Sequence, residues 1–324
     1  MNLKKSALAV AVASIIAAPT ASTVFAADQA WDGRVHWQLQ MDDNDQDGED
    51  VAIAGAGHRI GVKGSGDANN GNKVGYAIEA EIQSASNPYA SRDDGALEYR
   101  QANVYYAGDW GSVTVGRQNN PHQDVYKSDI FERTSGIYEL AAGFRIGDAI
   151  VYRGDFGMFG VFGGLMMDGQ GTDDGEDIDS TIIGANFNIG KSVAITVSNQ
   201  TLAEEGSNAD ANAAGADLSV TGAGASWSGG ALTVAGYYES ESETSTNVID
   251  VGVWYGLNDT TAVGGDYATI DFDGDEDATR ILLGVYHQLG GGADGYVEYF
   301  DETWGEDDTQ DNNGITVGYR VKFN

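Results

Sequence analysis

The 324-residue sequence contains no cysteine, so disulfides do not hold the fold together. Proline is nearly absent too. Of the three prolines, Pro19 lies near the N-terminus and Pro88 and Pro121 fall in stretches read as loops. Proline lacks the N–H that a sheet ladder needs, so a chain that keeps it out of its strands fits strands bonded on both sides. No apolar run approaches the roughly 18 residues of a membrane-spanning helix. Basic residues are scarce, 17 Lys and Arg against 50 Asp and Glu, for a formal net charge of −33. That acidity argues against nucleic acid as a partner and suits a surface facing metal cations or salty water. The four histidines, His36, His58, His122 and His287, are scattered without metal-ligand spacing. The sequence has no Gly-x-Ser-x-Gly elbow, no His-Glu-x-x-His and no phosphate loop. We therefore expect no enzyme activity, no catalytic residues and no cofactor.

The first residues read as a secretory signal. Lys4 and Lys5 form the charged region, Ala7–Ala18 the apolar core, and Val24-Phe25-Ala26 the small-residue approach to a cleavage site. The sequence is accordingly divided into a signal peptide, 1–26, and one barrel domain, 27–324.

What the rest of the chain has in abundance is alternation. In Gly314–Phe323, residues Ile315, Val317, Tyr319, Val321 and Phe323 fall on one side at a period of two, with Thr316, Gly318, Arg320 and Lys322 on the other. Near the start, Val35, Trp37, Leu39 and Met41 oppose Arg34, His36, Gln38 and Gln40. A strand sends successive side chains to opposite faces, so each stretch has one greasy face and one polar face. About sixteen such segments can be read, each of roughly the 9–11 residues a tilted membrane strand needs. Short joins such as Asp109-Trp110 and Gly229-Gly230 alternate with long polar ones such as Ser84–Ala96 and Gln118–Ala142. A soluble sandwich has no reason to collect every long loop at one end. A transmembrane antiparallel β-barrel of 16 strands does, with short periplasmic turns and long extracellular loops. Such a barrel is wide enough to hold an aqueous channel, and its polar face then lines the pore.

Several segments resemble the general diffusion porins of Gram-negative outer membranes, over the whole mature chain. They are His58-Arg59-Ile60-Gly61-Val62-Lys63-Gly64, Arg100-Gln101-Ala102 through Gly111–Gln118, and Arg145-Ile146-Gly147-Asp148-Ala149-Ile150-Val151-Tyr152-Arg153. The resemblance implies a homotrimer in the outer membrane whose third loop folds into each pore and narrows it. It implies passive diffusion of small hydrophilic solutes and ions. Carried onto this sequence, the basic wall of the constriction is Arg34, Arg59, Arg100 and Arg145, each on the polar parity of its strand. The acidic side is Asp129, Glu132 and Asp124. The arginines either line the waist or pin the loop by ion pairs, and the two roles are compatible. The family usually ends on an aromatic residue, whereas Asn324 follows Phe323 here.

Further expectations come from the residues themselves. If Arg100 points inward, Gln101, Asn103 and Tyr105 point outward, where amides facing lipid are costly. Burial against a neighbouring barrel would explain Gln101, Asn103 and also Arg117, and a bulge that flips the register is the alternative. Asp43-x-Asp45-x-Asp47-Gly48 matches the start of an EF-hand calcium loop, but Ala54 stands where the bidentate Glu is needed. The better reading is an acidic loop that loosely gathers divalent cations and bridges lipopolysaccharide. The acidic stretches at 42–50, 173–179, 271–277 and 306–311 predict a modest cation preference. The rival readings are a substrate-specific channel, an outer-membrane hydrolase and a plugged adhesive barrel. The first needs an aromatic ladder, and Tyr106, Tyr286 and Tyr296 read as too scattered to form one.

Overall fold

A computed structural model of the chain describes residues 29–44, 48–68, 70–82, 97–129, 131–132, 143–167, 178–202, 218–242, 245–272, 277–305 and 311–324. The proposed signal peptide lies outside them. The described residues form strands throughout, apart from one short 3₁₀ turn, Pro121–Val125. All the strands join one antiparallel sheet that closes on itself, with Gly33 opposite Phe323 at the seam.

Eighteen strand segments make sixteen staves, because two staves are broken. Gln29–Asn44 is flanked on one side by two segments in succession, Gly48–Gly55 along its far half and His58–Asp67 along its near half. The break falls at Gly57, whose φ of 68° favours a residue without Cβ. Arg34 lies across it, its Nε donating to the Gly57 carbonyl at 2.8 Å. The second broken stave is Arg145–Ile146 with Ala149–Phe156, interrupted where Asp148 takes a positive φ. The strand Gly48–Gly55 corrects the reading of the EF-hand-like stretch as an acidic loop. Val51 and Ile53 continue the period of two there, and positions 48–54 of the EF-hand pattern are ladder rather than a coordinating loop. Asp45 and Asp47 lie outside the described residues. Among the described residues, no group of three or more His, Asp or Glu could hold a metal ion.

Burial is inverted relative to a soluble protein. In the closing strand, Asn312–Phe323, Ile315, Val317 and Tyr319 are exposed on the outside, while Thr316 is wholly buried and Arg320 nearly so. In the first strand His36 and Gln38 are buried, between Val35, Trp37 and Leu39, which are exposed. An outer surface of Trp, Val, Ile, Leu and Tyr matches hydrocarbon, not water. Closure matters as much, since lipid offers no partner for an unpaired strand edge. Among the described residues no helix is long and apolar enough to cross a membrane, and the strands take that role.

The connections sort by end. Turns at Asp109–Trp110, Gly157–Met158, Gly230–Ala231 and Gly291–Gly292 are tight and share one rim with the first and last strand ends. Trp110 sits at that rim between Tyr106 and Tyr152, with centroids 6.0 and 6.2 Å away.

Candidate functional site: the constricted lumen

The segment that follows strand Gly111–Asn119 turns into the barrel and rides along its inner wall. Asn120 starts it, accepting a hydrogen bond from the His122 backbone N–H and donating from Nδ2 to Gln200 Oε1, each at 3.0 Å. His122 is wholly buried, with Nε2 2.6 Å from Glu239 Oε1, and the Tyr126 hydroxyl donates to the same oxygen at 2.9 Å. Val125 and Tyr126 pack on Tyr237, Val248, Ile270 and Ala278, and Phe131 packs on Leu282 and Phe300. These apolar patches on an otherwise polar inner face are what hold the segment down. Space for its backbone comes from Gly224: a Cβ there would overlap the Val125 carbonyl.

At its far end the segment delivers Glu132 to the junction of the first and last strands. The Glu132 carboxylate is ion-paired with Arg320 and lies 3.7 Å from Arg34. Its backbone N–H donates to Glu298 Oε1 at 2.8 Å, and its carbonyl accepts from Gln38 Nε2 at 3.3 Å. Arg320 also holds Asp294, with Nη2 to Oδ1 3.0 Å.

Next along the wall, Arg34 stands directly opposite Arg59 in the ladder. Like charges so placed repel. Carboxylates on the following strand relieve them: Arg59 Nε is 3.6 Å from Glu79 Oε2, and Arg100 donates to Glu79 Oε1 at 2.7 Å and pairs with Glu81. The structure thus brings Arg34, Arg59, Arg100 and Glu132 into one continuous charged wall. Sequence reasoning missed Arg320, Glu79, Glu81 and Asp294, although alternation had put Arg320 on the polar face.

The other sequence-predicted residues lie apart from this wall. Arg145 pairs in a two-residue ladder with Asn119 at the root of the inward segment, its Nε buried. Asp124 accepts from Arg153 Nη1 at 2.7 Å. Burial lowers the pKa of the neighbouring Lys127 ammonium, and Asp124 acts against that shift. Asp129 is exposed to the lumen, within electrostatic reach of a buried group in which Arg280 Nη2 lies 3.2 Å from Asp250 and 3.3 Å from Asp266.

Register corrects the outward placement of two amides. Glu79 pairs with Gln101 and Ala80 with Tyr99, which leaves Arg100 as the extra residue of a β-bulge. Gln101 therefore shares the inward face of Glu79. Asn103 shares it too, donating to the Arg117 carbonyl at 2.9 Å. Arg117 pairs with Ala102, opposite the exposed Ile78, and so stays on the outer face with its Nε donating to the Tyr99 carbonyl at 2.8 Å.

A closed barrel with a hydrocarbon-matched exterior, a charged lumen and an inward segment along its inner wall defines a transmembrane channel. The chain belongs to the Gram-negative porin family, whose profile matches residues 7–320. Among solved structures it is similar to the anion-selective porin from Comamonas acidovorans, with 21% identity and a TM-score of 0.74 over 91% of this chain and 99% of that one. OmpF of Salmonella typhi, in complex with daunomycin, gives 15% and 0.75 over 91% and 97%. The trimer form of OmpT, an outer membrane protein of Vibrio cholerae, gives 17% and 0.69 over 91% and 99%. At these identities the likeness concerns the fold. No curated protein matches the chain. Family and barrel together make it an outer-membrane channel.

Proposed function

We propose that the protein is an open diffusion pore for small hydrophilic solutes and ions, and that the charged wall from Arg320 through Arg34 and Arg59 to Arg100 acts with Glu132 as its waist. The observation that carries this reading is Glu132, which the inward segment sets against Arg34 and Arg320 on the far wall. Fixed charges of both signs lining a narrow passage select solutes by charge and dipole. Guanidinium stays charged at any relevant pH, so crowding the arginines does not neutralise them.

Ion preference follows from the whole chain. The acidic stretches, much of them outside the described residues, and a net charge of −33 favour cations at the mouth. The similar Comamonas protein is anion-selective; this chain's charge points the other way. The long connections face outward from the cell, where they loosely gather divalent cations next to lipopolysaccharide. The functional unit is a homotrimer, supported by the outward Arg117, and residues 1–26 are removed on export.

Single-channel current of the refolded protein in a planar bilayer under a salt gradient tests this. Large steps in groups of three, with a cation-signed reversal potential, are expected. A folded barrel without conductance would overturn the open pore, and an anion-signed potential would overturn the preference.

A further inference from the structure

Tyr286 and Tyr296, direct partners across the two strands of one hairpin, stand side by side on the inner wall. Their rings are stacked, with centroids 5.3 Å apart and planes 24° from parallel. Trp254 extends the row at 4.7 Å from Tyr286, and His36 closes it at 5.6 Å from Tyr296. This corrects the reading of the tyrosines as scattered; Tyr106 alone lies elsewhere, bonded to Asn70 and Asn72 at the short-turn rim. The row is set against the wall because its own and adjacent strands offer glycine beneath it. A Cβ at Gly264 would come within 2.6 Å of the Trp254 ring, one at Gly284 within 2.7 Å of Tyr286 Cε2, and one at Gly318 would overlap Tyr296.

A cavity of about 420 Å³ opens beside Trp254 and Tyr286, between Glu132 and the turn at Asn258. That lies within the roughly 300–1,000 Å³ range of small-molecule sites. Its polar lining includes Arg320, Lys322, Asp294 and Gln288. Asp294 Oδ1 lies 3.0 Å from Arg320 Nη2 yet receives no well-directed hydrogen bond, so acceptor capacity remains. Three carboxylates, Glu132, Asp259 and Asp294, stand against Arg320 and Lys322, and Arg320 already pairs with both Glu132 and Asp294. An anion would need a basic excess, and an organic cation would find Glu132 and Asp294 already held by Arg320. Trp254, its plane tilted 53° from that of Tyr286, offers one aromatic face beside donors and acceptors of both signs, which suits a neutral ring with one C–H face and a hydroxyl edge.

We propose that this cavity is a weak binding subsite for a neutral pyranose sugar, its ring laid on the Trp254 face beside Tyr286 and its hydroxyls facing Asp294, Arg320 and Gln288. The inference deepens the open-pore reading and rests on it.

The test compares maltose with mannitol, an acyclic polyol without a ring face, as blockers of the current through wild-type channels. Maltose should reduce the current saturably, and mannitol only in proportion to viscosity. Trp254→Ala should raise the half-blocking maltose concentration about tenfold, equivalent to roughly 1.4 kcal/mol. Trp254→Phe, which keeps a ring, should raise it about threefold, and it carries the test if the alanine variant does not assemble. Tyr255→Ala, on the outer face, should change nothing. Equal effects of maltose and mannitol, or a half-blocking concentration unmoved in both Trp254 variants, would overturn the subsite. If wild-type protein carries no current, the open pore fails on its own. Maltose titration of tryptophan fluorescence in micelles, with Trp254→Phe as the comparison, then judges the subsite separately: a saturable change lost in the variant supports it, and no change refutes it.

Discussion

His122 Nε2 lies 2.6 Å from Glu239 Oε1, and both side chains are wholly buried between the inward segment and the barrel wall. This contact ties the piece of chain that narrows the lumen to a strand more than a hundred residues further on. His122→Ala removes the imidazole and leaves a buried carboxylate with one fewer partner, a change that costs about 1–3 kcal/mol. The barrel should persist while the segment loosens. Single-channel records should show more frequent transitions between conductance levels, and thermal unfolding should begin at a lower temperature. Records as quiet as the wild type would show that the apolar packing of Val125 and Tyr126 suffices alone.

Gly224 leaves room for the Val125 carbonyl, and no side chain fits there. Gly224→Val should lift the segment off the wall into the open lumen and lower the conductance without destroying the ladder. Circular dichroism would report the retained strand content. A conductance equal to wild type would mean the segment reseats elsewhere.

Arg100 neutralises Glu79 and Glu81 in the charged wall. Arg100→Ser exposes both carboxylates to the passage. A unit charge at about 4 Å in water is worth about 1 kcal/mol, so the cation-to-anion permeability ratio should rise about fivefold. The reversal potential in a salt gradient measures this directly. Glu132→Gln removes the acidic counterpart near Arg34 and Arg320 and should move the ratio the opposite way.

Arg117 presents a charged group on the lipid-matched face. If a neighbouring barrel covers it, Arg117→Glu should shift trimer to monomer in light scattering of detergent-solubilised protein and leave monomer strand content intact. A trimer of unchanged stability would place the oligomer contact elsewhere.

The barrel was legible because a two-residue period survives without any knowledge of neighbours. Arg34, Arg59 and Arg100 could be assigned to the lumen from their own strands. What alternation does not carry is register. The bulge at Arg100 inserts one residue and reverses the faces of Gln101 and Asn103 relative to the simple count. The pairing of Tyr286 with Tyr296 depends on where the turn between their strands closes. Arg320 was on the correct face, but only the circular closure brings the last strand beside the first, where Glu132 meets it. The break at Gly57 also escaped the sequence, where the approach of Arg34 from another strand is not visible.

The seam between Gly33 and Phe323 has a kinetic consequence. Every other ladder joins strands that are successive staves in the chain, so each can zip onto its predecessor as soon as it forms. The seam joins residues about 290 positions apart, and loop closure makes such contacts late. Until it forms, the sheet carries two open edges able to pair with a second chain. Holding those two edges apart from other proteins until they meet is therefore the critical task for whatever inserts this barrel.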